Sequence, residues 1–317
     1  MKSIKQAMTG VAAAAALVAS MSAQASTVAI ADLNIFQLGL VDATTFAPFT
    51  AANGGLTITT ESRTGNATAS FNGVSAVGVG PSSDSTNTVG GALDIQNRCA
   101  GDCGAGTLAL YAGGGGFENN STTHIPTPGT RNFALGDMNI SGSTLGGGIQ
   151  GLTRANASTT GATNKGNGNA TILNSAAVVG TFSVGTTFTG RIGVAADAYI
   201  QAFVDSILPT KGNASAGYGW NLSISSSDTT FSDLFFRPGN LNKSFSSTKF
   251  AENSVFSNAS TLDFSDSRTF VSGVTYNFTI NQSSNAVVSE IPEPASLALV
   301  GLGLLAAGIA RRAKKSK

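Results

Sequence analysis

From Thr186 to Leu208 the chain alternates at period two. Phe188, Ile192, Val194, Ala196, Ala198, Ile200, Ala202, Val204 and Leu208 share one parity, and Thr189, Arg191, Asp197, Tyr199, Gln201 and Asp205 hold the other. Successive side chains of a strand point to opposite faces, so this run suits an antiparallel sheet with one buried and one wet face. A helix would need a period of about 3.6. The run exceeds the roughly three to ten residues usual for a strand, which predicts a bend or bulge near Gly190 or Gly193, or two strands.

The same grammar recurs at Trp220, Leu222 and Ile224, and at Val274, Tyr276, Phe278 and Ile280, interleaved with Asn, Ser or Thr. Shorter candidates are Val28 to Leu38, Leu56 to Thr60, Ala67 to Val79, Thr107 to Tyr111, Thr171 to Val184 and Thr261 to Phe264. Turn-formers separate them: Asn53-Gly54-Gly55, Asn72-Gly73, Gly113 to Gly116 and Pro238-Gly239-Asn240. Without an amphipathic helix in this region, the pattern predicts an all-β body over 26–290, an antiparallel β-sandwich or a jelly roll of short strands. Residues 141–169 are mostly Gly, Ser, Thr and Asn, too poor in large apolar groups to offset the entropy of ordering them. They read as a long loop inside one sandwich, or as a break between two subdomains.

The two ends differ from the body. Lys2 and Lys5, an apolar stretch from about Gly10 to Ala19 and the small-x-small sequence Ala23-Gln24-Ala25 form a secretory signal, with cleavage expected between Ala25 and Ser26. At the other end Pro292-Glu293-Pro294 precedes an apolar segment over 295–310, then Arg311-Arg312-Ala313-Lys314-Lys315. The apolar segment is read as one hydrophobic helix, a short membrane anchor whose basic end stays cytoplasmic and leaves the body outside. Two prolines keep the junction out of helix and sheet pairing, open to a protease.

This order of triplet, apolar helix and basic end resembles the PEP-CTERM sorting signal. The resemblance covers 291–317 and implies removal of the tail by exosortase, a membrane-embedded cysteine peptidase of Gram-negative bacteria that make extracellular polysaccharide. It implies an exported protein, transiently anchored in the inner membrane, delivered to the outer surface or extracellular matrix, with a role in biofilm or exopolysaccharide organisation. The implied partners are the export machinery, the exosortase-type peptidase and extracellular polysaccharide.

The whole chain holds 18 basic and 17 acidic residues, but seven of the basic ones lie in the terminal segments; Ser26 to Pro292 holds 11 basic and 16 acidic, a net of −5. An acidic body without a basic cluster repels phosphate backbones, so nucleic acid is not an expected partner. Cys99 and Cys103 are the two cysteines, and an oxidising compartment predicts a local disulfide between them. Zinc would need more ligands than two cysteines and the single His124 provide.

No nucleophile elbow, zincin motif, phosphate loop or dinucleotide fingerprint is present, so no catalytic residue, cofactor site or metal site is assigned. His124 sits in a Thr- and Pro-rich turn and reads as solvated. Asp228, Asp233, Asp263 and Asp266 are turn carboxylates that also offer oxygen ligands to a structural calcium, without the twelve-residue loop pattern. Trp220 beside Asn221 suits stacking on a sugar, although its parity with Leu222 and Ile224 favours burial. The leading expectation is a non-enzymatic surface or matrix protein. A carbohydrate-binding module is the alternative, and a glycan-active enzyme with paired carboxylates is the third reading.

Overall fold

The computed structural model of the chain describes residues 27–53, 55–76, 81–103, 132–159, 165–172, 178–204, 211–248 and 252–291. In chain order the strands are β1 (Thr27–Asp42), β2 (Thr57–Phe71), β3 (Val74–Ser75), β4 (Ser83–Thr86), β5 (Leu93–Gly101) and β6 (Phe133–Ser141). They continue with β7 (Gln150–Thr159), β8 (Lys165–Ile172), β9 (Val178–Ser183), β10 (Phe188–Val204) and β11 (Lys211–Ser226). The last are β12 (Leu234–Phe236), β13 (Asn242–Ser247), β14 (Glu252–Phe264), β15 (Arg268–Phe270) and β16 (Thr275–Ile291). A single turn of 3-10 helix at Gly239–Leu241 is the one helical element among the described residues.

These strands form two antiparallel sheets across one core. The first has the order β14-β10-β1-β7-β6-β5, with β15 also on β10; the second has the order β12-β11-β16-β8-β2-β3, with β13 on β11, β4 on β2, and β9 bridging β16 and β2. The core-facing parity of β10 is the expected one, with Ile192, Val194, Ala196, Ala198, Ile200, Ala202 and Val204 all buried. It meets Trp220, Leu222, Ile224, Phe278 and Ile280 of the opposite sheet.

Three expectations need correction. The strands are not all short: β1, β10, β11 and β16 each span 16 or 17 residues. The irregularities of β10 fall opposite Ile35/Gln37 of β1 and at Ala196/Ala198 against β14, not at Gly190 or Gly193. The 141–169 segment is not one long loop: residues 160–164 lie outside the described residues, and much of the rest is strand. It carries β7, wholly inside the first sheet between β1 and β6, and the start of β8. Small residues here, such as Ala155 and Ala157, fill a narrow gap between sheets, so the lack of bulky side chains reflects close packing and not disorder.

Polar ties close the sandwich. Gln282 continues the inward parity of Ile280 and donates from Nε2 to Leu33 O (2.9 Å), Gly151 O (3.0 Å) and Thr153 Oγ1 (3.2 Å), stitching β16 to β1 and β7. Arg63, fully buried, pairs with Glu61 (2.6 Å) and donates to Gly91 O, Gly142 O and Thr144 Oγ1, while Glu61 accepts from Gly90 N and Thr144 Oγ1. A buried pair is tolerable only when its remaining donors and acceptors are met, and here two loops meet them. The pole at the carboxy-terminal end of β1 is filled with aromatics: Phe49 stacks on Phe188, Phe188 on Phe270, and Phe231 meets Tyr276 edge-on at 4.9 Å.

Candidate functional site

The opposite pole gathers both ends of the β body. Strand β1 starts at Thr27, one residue past the expected cleavage position, and β16 ends at Ile291, the residue before Pro292. Proline has no N–H to give a ladder, so pairing on that side stops there. Thr27 is in register with Val204 of β10, and Ile291 with Lys211 of β11. The two sheets touch at this point. A side chain on Gly212 would collide with Thr27 Cγ2 and would lie 2.8 Å from Val204 Cγ1, so glycine lets the first strand of one sheet pass against the start of β11 in the other. The Cys99–Cys103 disulfide, with its Cα atoms 5.8 Å apart, lies at the same pole: Gly101 pairs with Phe133, and Phe133 with Ser158 beside Val28. Asp102 secures this corner, its Oδ2 accepting from Asn132 N at 2.9 Å and its N–H donating to Asn132 O at 2.7 Å.

The second feature lies on the outer face of the first sheet. Register sets Asp137 of β6 beside Arg154 of β7, Arg154 beside Asp32 of β1, and Asp32 beside Tyr199 of β10. All four are buried. Arg154 Nε lies 3.5 Å from Asp32 Oδ1. Asn156 links the pair: with its amide oxygen towards the guanidinium it accepts from Arg154 Nε at 3.0 Å, and its nitrogen donates to Asp32 Oδ1 at 3.1 Å. Tyr199 donates to Gln201 Oε1 at 3.1 Å. Burial pushes the Asp32 carboxyl up to about 7, with the Arg154 charge opposing the shift. Burial, and then the charge of Asp32, raises Tyr199. The face expected to be wet on β10 is therefore closed around Tyr199 and Gln201. Alternation within one strand cannot reveal it, because the partners Asp32, Arg154 and Asn156 come from two other strands.

Sequence-assigned residues fall in three groups. Cys99 and Cys103 are joined. Trp220 is 1% exposed and edge-on to Phe236 at 5.7 Å, which corrects the sugar-stacking assignment, since no face of the indole is open. The cavity between Trp220, Ile280 and Gln282 is about 10 Å³, the size of one water, and admits no sugar ring. Trp220 emission is accordingly expected to be blue-shifted and unchanged by added polysaccharide; quenching by polysaccharide would show a ring the sugar can reach. Ala25 and Ser26, Pro292, Glu293 and Pro294, the segment 295–310 expected to be helical, Arg311, Arg312, Lys314, Lys315 and His124 lie outside the described residues.

Among the described residues no three His, Cys, Asp or Glu side chains converge as a metal site, and no helix is long and apolar enough to cross a membrane. Asp228 is occupied as a turn cap, its Oδ1 accepting from Thr230 N (2.9 Å) and Oγ1 (2.8 Å), which hold its carboxyl below the usual range. The buried row and the Glu61–Arg63 tie had no signal in periodicity. Their only trace is a charged residue at an apolar parity, as with Asp32 after Val28 and Ile30.

The body is all-β among the described residues, and its strand β16 ends at the residue before a Pro-Glu-Pro triplet. The family model for the PEP-CTERM protein-sorting motif matches residues 290–315, so the chain carries that motif at its carboxy terminus. The motif implies export, transient membrane anchoring and processing by an exosortase membrane protein. No curated protein and no solved structure matches the chain.

Proposed function

We propose that this is a non-catalytic surface or matrix protein, exported, trimmed by an exosortase-type peptidase and delivered to the outer surface or extracellular polysaccharide layer of a Gram-negative cell. The observation that carries the reading is the position of the motif relative to the fold. The matched motif, 290–315, overlaps β16 by its first two residues, and the Pro292-Glu293-Pro294 triplet follows Ile291, the last residue of that strand, so a cut at the triplet takes no residue from β16. Both ends of the body leave one pole, so the aromatic-filled pole points away from the membrane while the tail is still anchored. The mild negative charge of the body leaves a neutral polysaccharide unopposed as a partner.

Intact-mass measurement of the protein from cells with and without the peptidase tests this. Loss of the basic terminal segment only in cells that have the peptidase is expected. A chain that keeps Lys317 in both would sink the proposal.

A further inference from the structure

A peptidase that binds its substrate as an extended strand uses the same backbone N–H and C=O groups that a sheet uses. In this chain those groups are already engaged at the edge of the motif. Ile291 is in register with Lys211, Glu290 with Gly212, and Ser289 with Asn213 on one side and Lys165 on the other. Pro292 is the next residue, with no spacer between ladder and motif.

We infer that the end of β16, Ser289–Ile291, regulates tail removal: the processing peptidase reaches the Pro292-Glu293-Pro294 motif only after this end has come away from β11. The inference rests on the sorting function proposed above and adds what the folded body contributes to it. Among the described residues, β16 past Ser289 is paired on the β11 side only, its last partner on the other side being Lys165. Strand ends held on one side open at low free energy. Ala286 and Val288, by contrast, are buried in the core at 0% and 1% exposure. Opening therefore stops at Val288, and the body stays folded while its last three residues are handed over. Recognition then requires both the motif and a strand end that can be released.

The test uses the full chain in its host, followed by pulse-chase and intact mass. Inserting Gly-Ser-Gly-Ser between Ile291 and Pro292 gives the peptidase backbone that no sheet holds. Trimming is expected to accelerate roughly tenfold, the factor for two or so ladder hydrogen bonds that no longer oppose opening. Combining Asn213→Cys with Ser289→Cys staples the two register partners. The oxidised chain is expected to keep its tail, to lose it on reduction relative to reduced unaltered chain, and to lose it without reduction when the spacer is also present. A spacer variant trimmed at the unaltered rate overturns the inference, as does a stapled chain, its disulfide verified by thiol labelling, that is trimmed normally. A staple that blocks trimming even with the spacer also overturns it, because the block then lies elsewhere. Failure of the sorting function itself looks different: the unaltered chain keeps its tail, or loses it without the peptidase.

Discussion

Replacing Arg154 by methionine is expected to destabilise the body by about 3–5 kcal/mol in denaturant unfolding at neutral pH, the cost of removing one partner from a buried charge group. Arg154 stands in register between Asp137 and Asp32, so the substitution takes away the cation that two buried carboxylates face. The double change Arg154→Met with Asp32→Leu should recover much of the loss, because the buried row then carries one carboxylate fewer. A single Arg154→Met variant as stable as the unaltered protein would show that the row contributes nothing to folding.

The same row gives a pH dependence with a definite sign. Asp32 titrates at about 7 in the fold against 3.8 as an ordinary carboxyl, so the folded state holds its proton more tightly. Its contribution to stability is complete below about pH 4 and declines as pH rises through 7, by roughly 4 kcal/mol for a shift of this size. Asp32→Asn should flatten that slope. Asp42 and Asp228, held low by turn hydrogen bonds, act in the opposite direction, and only as pH falls below the ordinary carboxyl range.

The second large effect concerns β16. A chain stopped after Val274 is expected to show no cooperative unfolding transition by circular dichroism, whereas one stopped after Ile291 should melt like the full exported body. The shorter chain loses Tyr276, Phe278, Ile280 and Val288, all buried. At about 1.5–3 kcal/mol per large apolar side chain that is roughly 6–12 kcal/mol, comparable to the whole stability of a typical domain at about 5–15 kcal/mol. It also loses the Gln282 bonds to β1 and β7. A folded product from the shorter chain would mean that β11 and β8 can pair without the strand between them.

How much of this was legible in the sequence depended on whether the information was local. The inward parity of β10 and β11 was readable because a core strand repeats every two residues whatever its neighbour is. The processing junction was readable because Pro292-Glu293-Pro294, the apolar run and the basic end follow one another along the chain. What escaped depends on strands far apart in sequence. Asp32 and Arg154 meet across 122 positions, and Glu61 and Thr144 share a hydrogen bond across 83. Neither pair leaves a spacing to read. The 141–169 segment misled for another reason: composition penalises Gly, Ala, Ser and Thr as poor formers of a core, yet β7 sits where two sheets approach closely and small side chains are what fits.

Strand β16 lies between β11 on one side and β8 and β9 on the other, and it follows all three along the chain. A polypeptide threaded through a membrane from its amino terminus delivers β2, β8, β9 and β11 well before the piece that joins them. The second sheet stays in two unconnected halves until residue 291 is across. Export of the body up to residue 291 and completion of the second sheet thus coincide at this strand. The motif matched over 290–315, which implies transient membrane anchoring, starts in the last two residues of this strand.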